Sequence, residues 1–221
     1  MGKTLTTHFT QEQNAFLSFV RNYPRILDMF YLTGGTALSA CYFNHRLSED
    51  IDLFTRQSFR QESVVSMMKD IAKQMKATAH FTIVDTSLRY DLSLPDKRKL
   101  KIDFVHYEFD QLKKSNNLEG LAVDNIEDIA VNKLLTISQR TASKDYVDLY
   151  FILQEFTFWD LRLGVEHKFG MEIESLYLAS LLKNVDSLDT LPIMKKKLSL
   201  ETLKTFFLAE AKKLALPLTK P

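Results

Sequence analysis

Residues 31–55, YLTGGTALSACYFNHRLSEDIDLFT, place two adjacent glycines, Gly34 and Gly35, before a helix-like run, and the triplet Asp50-Ile51-Asp52 at the start of an apolar one. Side chains in a strand alternate faces, so Asp50 and Asp52 project to one side while Ile51 and Leu53 project into a core. Two carboxylates on one side of a strand repel each other unless a cation sits between them. Mg²⁺ suits that place, because it takes oxygen ligands, commonly one or two carboxylates plus substrate phosphates. A third acid obeys the same logic. In KLKIDFVHY, Leu100, Ile102 and Phe104 form one face and Asp103 lies on the other with Lys101 and Val105. If the two strands are neighbours, three carboxylates converge, the arrangement that holds two metal ions in phosphoryl transfer.

The glycines add an anion site. A strand, a Gly-Gly turn and a helix start leave bare backbone N–H groups at the positive end of a helix, and a triphosphate is the natural occupant. Glycine lets the phosphate approach the backbone closely, and Thr36 adds a hydroxyl. Either element alone is weak: an isolated Asp-x-Asp is commonly a solvated turn. Their order and spacing, with a third acid on a later strand, carry the reading.

The rest of the chain organises around this stretch. Thr10-Gln11-Glu12-Gln13 resembles a capping box before Ala15, Phe16, Phe19 and Val20, and Pro24 closes that helix. Apolar patterning predicts strands over 29–32, 51–54, 80–86, 88–94 and 100–106, and helices over 36–45 and 60–75. Past residue 120 helical periodicity dominates, over 126–138, 144–156 and 199–214. The expected fold class is α+β: a mixed sheet flanked by helices, followed by a helical C-terminal half. The expected domains are an α/β core over 1–120 and a helical domain over 121–221. No Gly/Ser linker divides them, so close packing with a cleft between is expected. Six glycines and five prolines in 221 residues disfavour a loop-rich all-β fold, and 45% hydrophobic with 26% charged residues fits a folded protein.

A net charge of +1 does not by itself demand a nucleic-acid partner. A single cysteine, Cys41, excludes an intrachain disulfide and suits a reducing cytoplasm. No stretch has the length and apolarity of a membrane span or a signal-peptide core. Met1-Gly2-Lys3-Thr4-Leu5-Thr6 fits the short myristoylation pattern, read as coincidence.

These motifs together resemble the nucleotidyltransferase superfamily, the fold of DNA polymerase β. More narrowly, LTGGTAL followed by Arg46-Leu47-Ser48-Glu49-Asp50-Ile51-Asp52 resembles the AbiEii/AbiGii toxin family. NKLLTISQRTASKDYVDLYFIL resembles that family's Lys-Leu…Arg…Lys-Asp-x-x-Asp-Leu element. The resemblance implies an active site that includes Lys133 and Asp145, the toxin role in a type IV-like toxin–antitoxin pair, a cognate antitoxin, and tRNA or other RNA as acceptor.

Lys133 and Arg140 share a helix face, and Lys133 borders an apolar stripe of Ile126, Ala130, Leu134 and Ile137. Such a cation requires an anionic partner: triphosphate oxygens, or Asp148 in a structural ion-pair network. The expected site is therefore Asp50, Asp52 and Asp103 for metal, with Asp103 also helping to deprotonate the acceptor, and Lys133 and Asp145 alongside them. Gly34, Gly35, Thr36, Arg46, Ser48, Lys133, Arg140 and Asp148 form the nucleotide-binding set. Mg²⁺ is the expected cofactor, with Mn²⁺ the alternative ion, and a nucleoside triphosphate the substrate. The competing readings are a non-catalytic nucleotide- or partner-binding module, and a transferase acting on a protein or small molecule.

Several other features are read as structural. His45 is taken as a helix-end residue, and His80 and His106 lack zinc-site spacing. The aromatic stretch from Tyr146 to Trp159 is read as core. Lys195, Lys196 and Lys197, with Lys204, Lys212 and Lys213, are read as solvated surface, with an RNA-backbone contact as the alternative.

Overall fold

The computed structural model describes residues 7–85 and 87–216. The N-terminal hexapeptide with the myristoylation pattern lies outside the described residues. The chain divides into two compact units: residues 1–43 with 48–125, and residues 44–47 with 126–221. Among the described residues no helix is long and apolar enough to cross a membrane.

The first unit is built on a seven-stranded mixed sheet. Its strands are β1 (Tyr31–Thr33), β2 (Ile51–Thr55), β3 (Thr78–Val84), β4 (Ser87–Ser93), β5 (Lys99–His106), β6 (Asn116–Leu118) and β7 (Leu121–Val123), in the order β3-β4-β5-β2-β1-β7-β6. Period-2 patterning makes β4 and β5 legible: Leu88, Tyr90 and Leu92, and Leu100, Ile102 and Phe104, are all buried. Leu32, Leu53, Phe104 and Leu88 are register partners and form one apolar row across four strands.

Two helices supply further core. In α1 (Gln11–Val20), Phe16, Leu17 and Val20 are buried, and in α4 (Gln61–Gln74), Val64, Met67, Met68, Ile71 and Ala72 are buried. Burying one such side chain contributes about 1.5–3 kcal/mol. Thr10 caps α1 with the full reciprocal capping box to Gln13, as the sequence predicts. Between them come the short α2 (Pro24–Leu27) and, after β1, a helical run made of α3 (Gly34–Ala37) and a π-helical segment (Leu38–Phe43).

The second unit holds α5 (Ile126–Gln139), α6 (Ser143–Ile152), α7 (Phe158–Phe169), α8 (Ser175–Lys183) and α9 (Leu200–Ala215). Lys168 of α7 donates to Asp128 of α5 at 2.7 Å with both side chains buried. Tyr146 of α6 packs edge-on against Phe207 of α9 and donates its hydroxyl to the Leu181 carbonyl at 2.7 Å. The aromatic stretch is not uniformly core. Tyr146 is buried, but Trp159 is 64% exposed with the Arg162 guanidinium over its ring, because it faces solvent from α7 while its neighbours Phe158 and Leu161 take the buried side.

Candidate active site

The chemistry is set out on one row of the sheet. Thr33 pairs with Asp52, Asp52 with Asp103 on the parallel strand β5, and Asp103 with Arg89 on β4. Register partners project to the same face. The apolar row beside it takes the opposite face. The expectation that the Asp103 strand neighbours the Asp52 strand is met, and the two acids are direct partners. Asp50 sits one residue before β2.

Gly34 has φ +71, and a Cβ built on it would lie 2.2 Å from Asp52 Oδ2. The sequence suggested glycine for the approach of a phosphate. In the structure, the space a side chain would need is taken by the Asp52 carboxylate, so Gly34 serves the acid directly. Gly34→Ala combines left-handed backbone strain with a clash that must move Asp52. A displacement near 1 Å at a reacting centre costs about 100-fold in rate. We expect that loss in nucleotide transfer, with far-UV circular dichroism unchanged; a G34A protein of wild-type activity would refute this role.

A short web of hydrogen bonds fixes the loop. Thr36 Oγ1 donates to the Asp50 carbonyl and is in contact with Ser48 Oγ at 3.0 Å. Gln13 Nε2 donates to the Ser48 carbonyl at 2.9 Å, while its Oε1 caps α1. Thr36 is buried, so its hydroxyl ties the glycine turn to the Asp50 segment. Thr33 Oγ1 donates to Asp124 Oδ2 at 2.7 Å, and Gln111 Nε2 donates to the other oxygen at 2.7 Å. Asp124 and Gln13 act here through other residues. Sequence marks Gln13 only as a capping residue and Asp124 not at all, because their partners Ser48 and Thr33 lie 35 and 91 residues away.

Asp103 has a neighbour the sequence did not signal. Arg89 donates through Nε to Oδ1 at 2.8 Å and through Nη2 to Oδ2 at 3.1 Å. The Arg89 guanidinium is pushed up from its ordinary value by the hydrogen bond and charge of Asp103, with smaller contributions from Asp91 and Asp50. Among the described residues, no group of three or more His, Cys, Asp or Glu stands arranged to hold a metal ion. The donor chemistry still fits Mg²⁺, which binds through one or two carboxylates with substrate oxygens completing the shell. Asp50 and Asp52 would be those two.

In the second unit, the other predicted residues form a buried ion cluster. Arg46 donates to Asp148 through Nε at 2.6 Å and Nη2 at 2.8 Å, and His45 Nε2 meets the same carboxylate at 2.8 Å. Lys133 Nζ lies 2.6 Å from Asp148 and 2.9 Å from Asp145, and Arg140 Nε donates to Asp145 at 2.7 Å. Burial alone would raise the Asp148 pKa, but Lys133, Arg46 and His45 overcome it and hold the carboxyl well below its ordinary range. Burial would likewise raise Asp145, and Arg140 and Lys133 lower it. Desolvation opposes the charge of Lys133, yet the two carboxylates raise its pKa. Burial lowers the pKa of His45, with Asp148 opposing.

Lys133, Arg46 and Arg140 thus engage carboxylates, and Asp145 and Asp148 are fully buried. This is the ion-pair network that the sequence offered as the alternative to triphosphate binding. Arg46, read as nucleotide-binding, joins it through a partner 102 residues away.

A mixed sheet with acids at matched registers, beside a Gly-Gly helix start, is the architecture of a nucleotidyltransferase. Residues 24–214 match the family described as nucleotidyl transferase AbiEii toxin, type IV TA system, and the chain belongs to that family. An uncharacterized Aquifex aeolicus protein is 34% identical over 139 residues, spanning 62% of this chain and 63% of that relative. The crystal structure of JHP933 from Helicobacter pylori superposes with a TM-score of 0.58 at 20% identity, covering 96% of this chain and 95% of that one. That likeness speaks to the fold alone. The Mycobacterium tuberculosis nucleotidyltransferase toxin MenT4, at TM-score 0.49 and 11% identity over 93% of this chain and 86% of its own, is too distant to carry an argument.

Proposed function

We propose that the protein transfers a nucleoside monophosphate from a nucleoside triphosphate to a hydroxyl of RNA, tRNA foremost, with Mg²⁺, in the cytoplasm, as the toxin of a toxin–antitoxin pair. The observation that carries the reading is the register match of Asp52 with Asp103, with Gly34 wrapped against the first of them. Asp50 and Asp52 would hold the metal, and Asp103 would join them. Bound there, Mg²⁺ supplies charge neutralisation at the phosphates. Backbone N–H groups at Gly34 and Gly35, with the Ser48 hydroxyl, orient the triphosphate tail. The acceptor oxygen forms a bond to the α-phosphorus, the bond to pyrophosphate breaks, and the acceptor proton passes to an Asp103 oxygen.

In this reading Lys133, Arg140, Asp145 and Asp148 act by holding the second unit together. Incubating the purified protein with each α-labelled nucleoside triphosphate, total tRNA and Mg²⁺ tests the reading. Labelled tRNA is expected with one nucleotide, and release of label only as free monophosphate would refute transfer.

The basic run gives the RNA acceptor a physical basis. Lys195, Lys196 and Lys197 are exposed. Their backbone is pinned to the motif segment: the N–H groups of Lys195 and Lys196 donate to the His45 carbonyl, each at 2.9 Å, and Leu47 N–H donates to the Ile193 carbonyl at 2.7 Å. Three lysines on a phosphate backbone release about 2–3 counterions. Changing all three to Gln should therefore lower the slope of log K against log salt for tRNA by about 2–3, leaving nucleotide binding as it was. An unchanged slope would favour a protein or small-molecule acceptor.

A further inference from the structure

We propose that Arg89 is an exchangeable counter-ion: it neutralises Asp103 in the nucleotide-free protein and must release that carboxylate before a divalent cation can use it. The proposal rests on the metal reading of Asp50, Asp52 and Asp103 given above.

Three observations lead to it. Asp52 and Asp103 are direct register partners on neighbouring strands, which places two like charges about 5 Å apart at the backbone. Such a pair needs a cation, and Arg89 supplies one through a two-pronged bond that takes both Asp103 oxygens. The side chain is built to leave. It is half exposed at 50%, whereas Asp103 is 20% exposed. A half-exposed ion pair is worth little, because water and salt compete for both partners. Buried cations behave oppositely: Lys133 is 9% exposed between two fully buried carboxylates.

Arg89 is thus a positioning residue that acts through Asp103, and its removal should help the cation. Arg89→Gln deletes both a competitor for Asp103 and a positive charge beside the dication. Binding of Mn²⁺ alone, followed by the loss of its free-ion electron paramagnetic resonance signal, should tighten about three- to tenfold in R89Q. Arg89→Lys keeps the charge but loses the fork, and should lie between wild type and R89Q. Melting temperature should change by no more than about 3 °C in either variant.

Asp52→Asn locates the signal, since it should lose the binding. Equal or weaker Mn²⁺ affinity in R89Q and R89K overturns the role of Arg89 while leaving the metal reading intact. Saturable binding that survives in D52N, or none in any protein, overturns the metal reading itself and the proposal with it.

Discussion

Asp148→Asn is expected to cost about 3–5 kcal/mol of stability, the penalty for leaving buried charges without their counter-ion. The carboxylate is fully buried and accepts from Arg46, His45 and Lys133. An amide keeps the shape but removes the charge that three donors share. The melting transition should fall by about 10 °C. The loss should also depend on pH. The Asp148 carboxyl is held well below its ordinary value, so its contribution is fully present above the unfolded-state value of about 4. It fades as pH falls through that value toward the lower folded one. The gap between wild type and D148N should therefore narrow when urea unfolding is repeated below pH 4. A D148N protein that melts with the wild type at pH 7 would show that the cluster does not hold this unit together.

The same cluster shows where sequence reading stops. The helices that carry Lys133, Arg140, Asp145 and Asp148 were legible because their apolar stripes repeat over ten or more residues. The need of Lys133, beside an apolar stripe, for an anion also raised Asp148 as its partner. It could not reveal Arg46, which meets Asp148 across 102 residues through residues 44–47, a segment that packs with the second unit. In the sheet, alternation assigned Asp52 and Asp103 to polar faces, and adjacency of their strands was a condition the fold had to meet. Arg89 escaped because its relevance depends on the antiparallel register of β4 with β5. A shift of one residue would turn its side chain to the opposite face. Strands β6 and β7, three residues each, are too short to show a period. Gly34 was singled out for the approach of a phosphate; that Asp52 Oδ2 lies 2.2 Å from its missing Cβ is a contact no spacing along the chain reveals.

Asp52→Asn is expected to lower nucleotide transfer by about 10³-fold or more, the equivalent of the several kcal/mol of charge stabilisation a bound cation supplies. The substitution is nearly isosteric, so the carboxamide can occupy the pocket against Gly34 and the sheet should stay intact. Stability should barely rise, although a like charge beside Asp103 is removed, because Arg89 already neutralises Asp103. That combination separates a chemical role from a structural one. A structural acid would lose stability along with activity, as Asp148 should. An acid used in the reaction should lose kcat at an unchanged melting temperature. Transfer at the wild-type rate in D52N would remove Asp52 from the reaction, and with it the reason for a glycine at position 34.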